Sequence, residues 1–144
     1  MLALLDQPDG VVLPLLSRLG VATPTLRDAV AGLLRSRPQV EGVSAERGVS
    51  RVLRTTLVQA FDVAAKMKDE YVSTEHLFLA LLDQRGSGIS KAAASVGLTG
   101  DAALKALQSV RGRQRVTDQN PEDKYEALKK YGRDLTDAAR RGKL

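Results

Sequence analysis

Apolar residues recur along this chain at intervals of three and four positions, which is the spacing of one face of an α-helix. The longest such segment runs from about Val49 to Met67 and predicts an amphipathic helix of about 19 residues. Its predicted apolar face comprises Leu53, Leu57, Ala60, Phe61 and Ala64. Leucine-rich segments of the same period lie on both sides of it, so we predict an all-α fold.

The strongest signal in the chain is an internal repeat at a shift of 77 residues. The stretch Leu2–Gln7 recurs without a change as Leu79–Gln84. Further along, Gly20 falls on Gly97 without a gap, and apolar residues fall on apolar residues over some 30 positions. Six consecutive identities followed by this agreement indicate a duplicated helical unit.

Each copy is predicted to contain a leucine-rich helix, a short helix and a last helix, separated by turns. In the second copy, Ser73 or Thr74 caps the first helix by accepting hydrogen bonds from free backbone N–H groups. A short helix follows over about 89–96, and Gly97 ends it because a residue without Cβ suits a left-handed cap. Thr99 opens the last helix.

The first copy repeats this scheme except at its beginning. A short helix is predicted over about 12–19, with a stop at Gly20 and Pro24 at the start of the next helix. The counterpart of the long helix over 49–67 would lie before Met1. We therefore expect a fragment, an alternative translation start or a start codon placed too late. We also expect the chain to be less stable than one extended upstream by that helix.

The chain divides into four predicted segments. Pro38 interrupts the helical period between the copies, and Asn120 followed by proline marks a helix start beyond the second copy. The segments are a truncated first repeat (1–36), an inter-repeat linker (37–48), a second repeat (49–111) and a helical tail (112–144).

Composition excludes several classes of site. The 144 residues include no Cys, no Trp and one His, so disulfides, thiolate sites and metal sites with two imidazoles are excluded. Aromatic residues make up 3% of the chain, which leaves little for stacking nucleic-acid bases. No apolar run approaches the ~20 residues that span a bilayer, so we expect a soluble, cytoplasmic protein.

The net charge of +5 is concentrated in the tail. Through Val110 the chain has 12 Lys or Arg against 11 Asp or Glu, and from Arg111 onward it has 10 against 6. A nucleic-acid face on the folded body is therefore disfavoured. A tail that binds nucleic acid stays open as an alternative to a solvated mixed-charge helix, and a salt-dependent gel shift would reveal it.

No catalytic motif accounts for the chemistry-bearing residues. The Gly-Lys pair at Gly142 lacks the first glycine and the Ser or Thr of a phosphate-binding loop, and Gly-x-Ser-x-Gly is absent. His76 follows Glu75, and a surface or capping histidine is favoured over a catalytic pair. Asp69 with Glu70 is either a binding pair or a solvated loop. By elimination, the sequence favours a binding module over an enzyme.

Three features resemble the N-terminal region of the Clp ATPase family, in its ClpB-type chaperone branch. They are the paired Leu-Ala-Leu-Leu boxes, the stretch 69–77 (DEYVSTEHL), and the tail over 119–136 with its Gly-Lys-Leu end. The resemblance covers essentially the whole chain. It implies an all-α, pseudo-twofold domain of two helical repeats, with the first repeat lacking its opening helix, followed by a helical linker toward an ATPase module.

The resemblance also implies a function. In the family this domain helps a hexameric ATPase to capture unfolded or aggregated polypeptides, here called clients, for ATP-dependent disaggregation and refolding. It implies client-binding roles for Asp69, Glu75, Val63 and Tyr71, with carboxylates that attract basic client residues beside an apolar groove. ATP and Mg belong to the full-length family, and neither a cofactor nor a membrane partner is expected for this chain. The alternative is a free-standing helical-repeat adaptor that binds a protein partner.

Overall fold

The computed structural model describes residues 1–38, 48–117 and 142. Within those ranges the regular structure consists of seven helices and no strand, which confirms the predicted all-α class. The helices are α1 (Leu2–Leu5), α2 (Val12–Arg18), α3 (Thr23–Arg35), α4 (Arg51–Lys66), α5 (Thr74–Asp83), α6 (Gly88–Ser95) and α7 (Gly100–Arg111). Most of the predicted 37–48 linker and the helix predicted from Asn120 lie outside the described residues.

Helix packing is reciprocal between the two copies of the repeat. Helix α3 packs against α6, and its counterpart α7 packs against α2, which is the counterpart of α6. Likewise, α1 contacts α2 and α3, while its counterpart α5 contacts α6 and α7. A near-twofold relation between two copies requires this exchange of partners. The two leucine-rich stretches therefore have matching neighbours, except that α5 also packs against α4 and no described helix takes that place against α1.

The turns after the two short helices have the same backbone conformation. Gly20 and Gly97 have φ angles of +68° and +76°, in the left-handed region. In each copy the residue after the glycine donates its N–H to the carbonyl five positions before itself, at 3.0 Å and 2.9 Å. The glycine itself donates to the carbonyl three positions back, at 3.1 Å and 3.0 Å. Both predicted helix ends are thus confirmed as Schellman-type caps.

Hydroxyl side chains cap the first turns of α4, α6 and α7. The Thr99 hydroxyl accepts the backbone N–H of Ala102 at 3.3 Å, as predicted for the start of α7. The Ser87 hydroxyl accepts the N–H of Ser90 at 3.1 Å, so α6 begins one residue earlier than predicted. Ser50 caps α4 in the same way, which places that start two residues after the predicted one.

Both copies contribute to one hydrophobic core. Its fully buried large side chains are Leu15, Leu16 and Leu26 from the first copy and Phe78, Leu98 and Leu107 from the second. Each such side chain contributes about 1.5–3 kcal/mol by leaving water. Because one cluster unites both copies, neither copy has a separate core.

The predicted apolar face of α4 is only partly buried. Helix α4 packs chiefly against α5, and the small residues Thr56, Ala60 and Ala64 are buried there. The larger residues of the predicted face, Leu53, Leu57 and Phe61, remain 45%, 41% and 67% exposed. The apolar face predicted for α4 therefore belongs to the core only at its small residues, and its three large residues do not. Small side chains let α4 approach α5 closely, which turns the larger ones toward a side that no described helix covers.

Candidate functional site

Helices α4, α5, α6 and α7 line a groove of about 510 Å³ in the second copy. The larger apolar side chains of its lining are Val63, Met67, Leu79, Leu82, Leu98 and Leu104. The exposed charged residues at its edge are Lys66, Asp83, Arg85 and Asp101. Two cations and two carboxylates balance each other, so the groove offers a ligand apolar contact and no strong preference for one charge.

The four predicted client-binding residues do not lie on one surface. Val63, on α4, lines the groove and packs against the core. Tyr71 lies in the loop between α4 and α5, is 44% exposed and is not among the groove residues. Asp69 and Glu75 have fully buried side chains, each 0% exposed. The structure therefore brings one of the four to the groove.

The Asp69 carboxylate is held by groups from three parts of the chain. Arg111, at the end of α7, donates from Nη2 to Oδ1 at 2.6 Å and from Nη1 to Oδ2 at 2.8 Å. The backbone N–H of Val116 donates to Oδ1 at 2.8 Å, and His76 Nε2 lies 2.7 Å from Oδ2. This bidentate pair with two further hydrogen bonds is the arrangement that makes a buried charge tolerable.

Burial and hydrogen bonding act on Asp69 in opposite directions. Burial alone raises the pKa of the carboxyl, because the charged form loses water. The hydrogen bonds from Arg111 and from the Val116 amide favour the charged form and outweigh burial, with a further contribution from His76. The pKa of Asp69 therefore lies below its ordinary value of 3.8.

His76 is a buried capping residue. Its Nδ1 accepts the backbone N–H of Ser73 at 2.9 Å, and the two residues form a capping box at the start of α5. An Nδ1 that accepts has no proton, so the ring proton is on Nε2 and is donated to Asp69. Of the two alternatives predicted, a surface or a capping histidine, the structure shows the capping role, with the side chain 0% exposed.

Glu75 faces the same buried cluster from the first turn of α5. Its Oε1 lies 4.0 Å from Arg111 Nη1, and the N-terminal end of the helix dipole also favours a carboxylate at this position. Neither Glu75 nor Asp69 presents an oxygen to solvent. The resemblance implied that these two carboxylates attract basic client residues directly. Neither carboxylate is exposed, so neither can contact a client in this structure.

Arg111 was not predicted from the sequence as a site residue, although it is 6% exposed and binds Asp69 across 42 positions of sequence. In the sequence it is the first residue of a basic run, and its neighbours Arg113 and Arg115 are exposed as expected for such a run. Within the basic run itself, nothing distinguishes the buried arginine from the exposed ones. Its position one turn beyond Leu107 on the inward face of α7 is the one signal that could have indicated burial.

Comparison with known proteins identifies the family. The Clp repeat (R) N-terminal domain model matches residues 1–95 and 52–140. The chaperone protein ClpB of Nitratidesulfovibrio vulgaris is 47% identical over 146 residues, which is 99% of this chain and 17% of that protein. ClpB of Bacillus cereus strain ATCC 14579 is 40% identical over 147 residues, which is 100% of this chain and 17% of that protein. The chloroplastic ClpB3 of Arabidopsis thaliana is 38% identical over 144 residues, which is 100% of this chain and 15% of that protein.

The fold and the groove define a duplicated, all-helical repeat domain with a partly apolar groove. The chain belongs to the Clp repeat (R) N-terminal domain family, as the family match and the ClpB relatives show. It spans about a sixth of the length of those relatives. Among the described residues, no helix is long and apolar enough to cross a membrane, and no three acidic, His or Cys side chains are grouped as metal ligands would be.

Proposed function

We propose that this domain binds exposed apolar segments of unfolded or aggregated polypeptides through the groove between α4 and α7. The observation that carries the proposal is the groove itself, where six apolar side chains are surrounded by charges that balance. Such a surface recognises apolar segments weakly and with little sequence preference. That is what a protein needs when its ligands share exposure of core residues rather than a sequence.

The similarity to ClpB chaperones supports a place for this binding in a larger reaction. In that scheme the domain concentrates clients near ATPase modules, which disaggregate and refold them with ATP and Mg. The domain itself contributes binding and no catalysis. We expect the purified chain to release no phosphate from ATP, with or without an unfolded protein, in a phosphate-release assay.

Two valines on α4 provide a matched test of the groove. Val63 lines the groove, whereas Val58 is 60% exposed and is not among the groove residues. We expect Val63→Asp to weaken binding of a reduced, carboxymethylated model protein about tenfold, because a carboxylate opposes burial of an apolar segment. Val58→Asp should change the dissociation constant less than about twofold.

Fluorescence anisotropy of the labelled model protein measures both dissociation constants. Circular dichroism of each variant shows whether the helices are retained. Equal affinities for Val63→Asp and the unmodified chain would contradict the proposal. A loss confined to Val58→Asp would place binding on the exposed side of α4 instead.

A further inference from the structure

The residues that follow α7 are fixed to the loop between α4 and α5 although they form no helix or strand. At Gly112 the chain reverses with a φ angle of +60°. The Val116 carbonyl then accepts the N–H of Glu70 at 2.9 Å, and the Val116 N–H is donated to Asp69 at 2.8 Å. The Val116 side chain is itself 0% exposed.

Arg111 connects this segment to the buried carboxylate from the other side. While its guanidinium binds both oxygens of Asp69, Nη2 also donates to the carbonyl of Gln114 at 3.0 Å. Asp69 thus contacts the segment directly through Val116 and indirectly through Arg111. We call the group Asp69, Arg111, Gln114 and Val116 the exit clasp, because it lies where the chain leaves the last described helix.

The exit clasp is contiguous with the groove. Arg111 Nη1 lies 3.9 Å from the sulfur of Met67, and Met67 lines the groove. Met67 is also the C-terminal cap residue of α4, and Asp69 follows two residues later. The short run from Met67 to Asp69 therefore connects the proposed binding surface to the exit clasp.

A buried ion pair contributes little net stability, since desolvation of both charges offsets their attraction. What such a pair does well is to select one arrangement of the groups that satisfy it. Here the selected arrangement is the path of residues 112–117 along the α4–α5 loop. An apolar cluster of the same volume would bury this segment without determining its direction.

We propose that Asp69 is a positioning residue, which through the exit clasp sets where and in which direction the chain leaves the helical domain. Its contribution to client processing, which rests on the proposed function, comes from holding the groove in a defined orientation to whatever follows residue 117. This replaces direct contact with clients as the role of Asp69.

Hydrogen exchange on the full chain tests the exit clasp. In Asp69→Asn we expect the amides of Glu70 and Val116 to exchange at least about tenfold faster, while amides in the centres of α2 and α3 change less than about twofold. Asp6→Asn is the matched control, because its carboxylate pairs with Arg27 at 3.1 Å on the surface. It should leave all of these exchange rates unchanged.

Two further variants separate positioning from general stability. Val116→Pro removes the N–H that Asp69 accepts and leaves every buried charge in place. We therefore expect faster exchange at the amide of Glu70 in this variant, and the test remains available if Asp69→Asn fails to fold. Arg111→Lys keeps a cation and loses the two-pronged contact. We expect its exchange rates at Glu70 and Val116 to lie between those of the unmodified chain and those of Asp69→Asn, because a cation is retained but one of its two contacts is lost.

The outcomes distinguish this inference from the proposed function. Unchanged protection of Glu70 in both Asp69→Asn and Val116→Pro would overturn the exit clasp, and so would an equal loss of protection in every helix. Loss of model-protein binding in Asp69→Asn with protection at Glu70 retained would also overturn it, in favour of direct contact. If Val63→Asp binds normally while Asp69→Asn releases Glu70 and Val116, the proposed function fails and the exit clasp stands.

Discussion

The Asp69 carboxylate is ionised because Arg111, the Val116 amide and His76 favour its charge more than burial opposes it. The consequence for pH dependence follows from the direction of its pKa, which is below 3.8 in the folded chain. A carboxyl whose pKa is lower in the folded than in the unfolded state stabilises the fold fully above the unfolded pKa. This contribution is lost as the pH falls through the folded value.

We therefore expect the effect of Asp69→Asn to depend on pH. At neutral pH the variant should lose about 3–5 kcal/mol of unfolding free energy, because the buried Arg111 loses the two-pronged contact with the Asp69 charge. The difference in unfolding free energy between the variant and the unmodified chain should become smaller as the pH falls. The change should run from the pKa of about 3.9 that the Asp69 carboxyl has in the unfolded chain toward its lower pKa in the folded chain. Urea denaturation along a descending pH series measures it. A difference that stays constant through this window would contradict the assignment.

Two glycines provide a second prediction at the scale of single residues. Gly97 has a φ of +76°, so Gly97→Ala should cost about 1–2 kcal/mol even though open space surrounds the position. Gly100 begins α7 with an ordinary φ and similar open space, so Gly100→Ala should be neutral or stabilise by about 0.4–1 kcal/mol. Thermal melting of both variants is sufficient. Equal losses at the two sites would show that the positive φ of Gly97 is not what makes its substitution costly.

At the scale of elements, α4 differs from the other helices because its small residues are buried and its large ones are exposed. Ala60 is 0% exposed, and Phe61 beside it is 67% exposed. The helix is thus attached to α5 through close backbone approach, and its larger side chains add little to the core. Apolar periodicity locates such a helix but does not tell which edge of the apolar face is covered.

Substitutions at these adjacent positions should reverse the usual ranking of large and small residues. Ala60→Leu should destabilise the chain by about 1–3 kcal/mol, because the added methyl groups have no space between α4 and α5. Phe61→Ala should change the unfolding free energy by less than about 0.5 kcal/mol. Denaturant titration measures both values. If Phe61→Ala were the more damaging variant, a packing partner would have to cover the exposed side of α4.

At the scale of the whole molecule, the two copies share one core and exchange packing partners, so we expect them to unfold together. Leu107→Ala, in the second copy, should lower stability by about 2–5 kcal/mol. Amides of α3, in the first copy, should report the same loss under conditions where they exchange by global unfolding. Amides of α3 that keep their original protection would show that the copies unfold separately.

Much of the fold was predictable because its signals are local or periodic. The repeated leucine box, the glycine stops and the Thr99 cap each depend on a few neighbouring residues, and the structure places all of them as expected. The site was less predictable. Val63 lies in the groove, but the burial of Asp69 depends on Arg111, which is 42 positions away, and no alternation or cap reports such a contact.

The amino-acid sequence alone determined that the chain is helical, that its helical unit is duplicated, and where most helices begin and end, since hydrogen bonding within a turn governs these properties. The tertiary structure alone decided which charges lie inside and which apolar residues stay outside. Burial depends on what the chain brings together from distant positions. Asp69 became a buried anchor, and Phe61 an exposed side chain, for that reason.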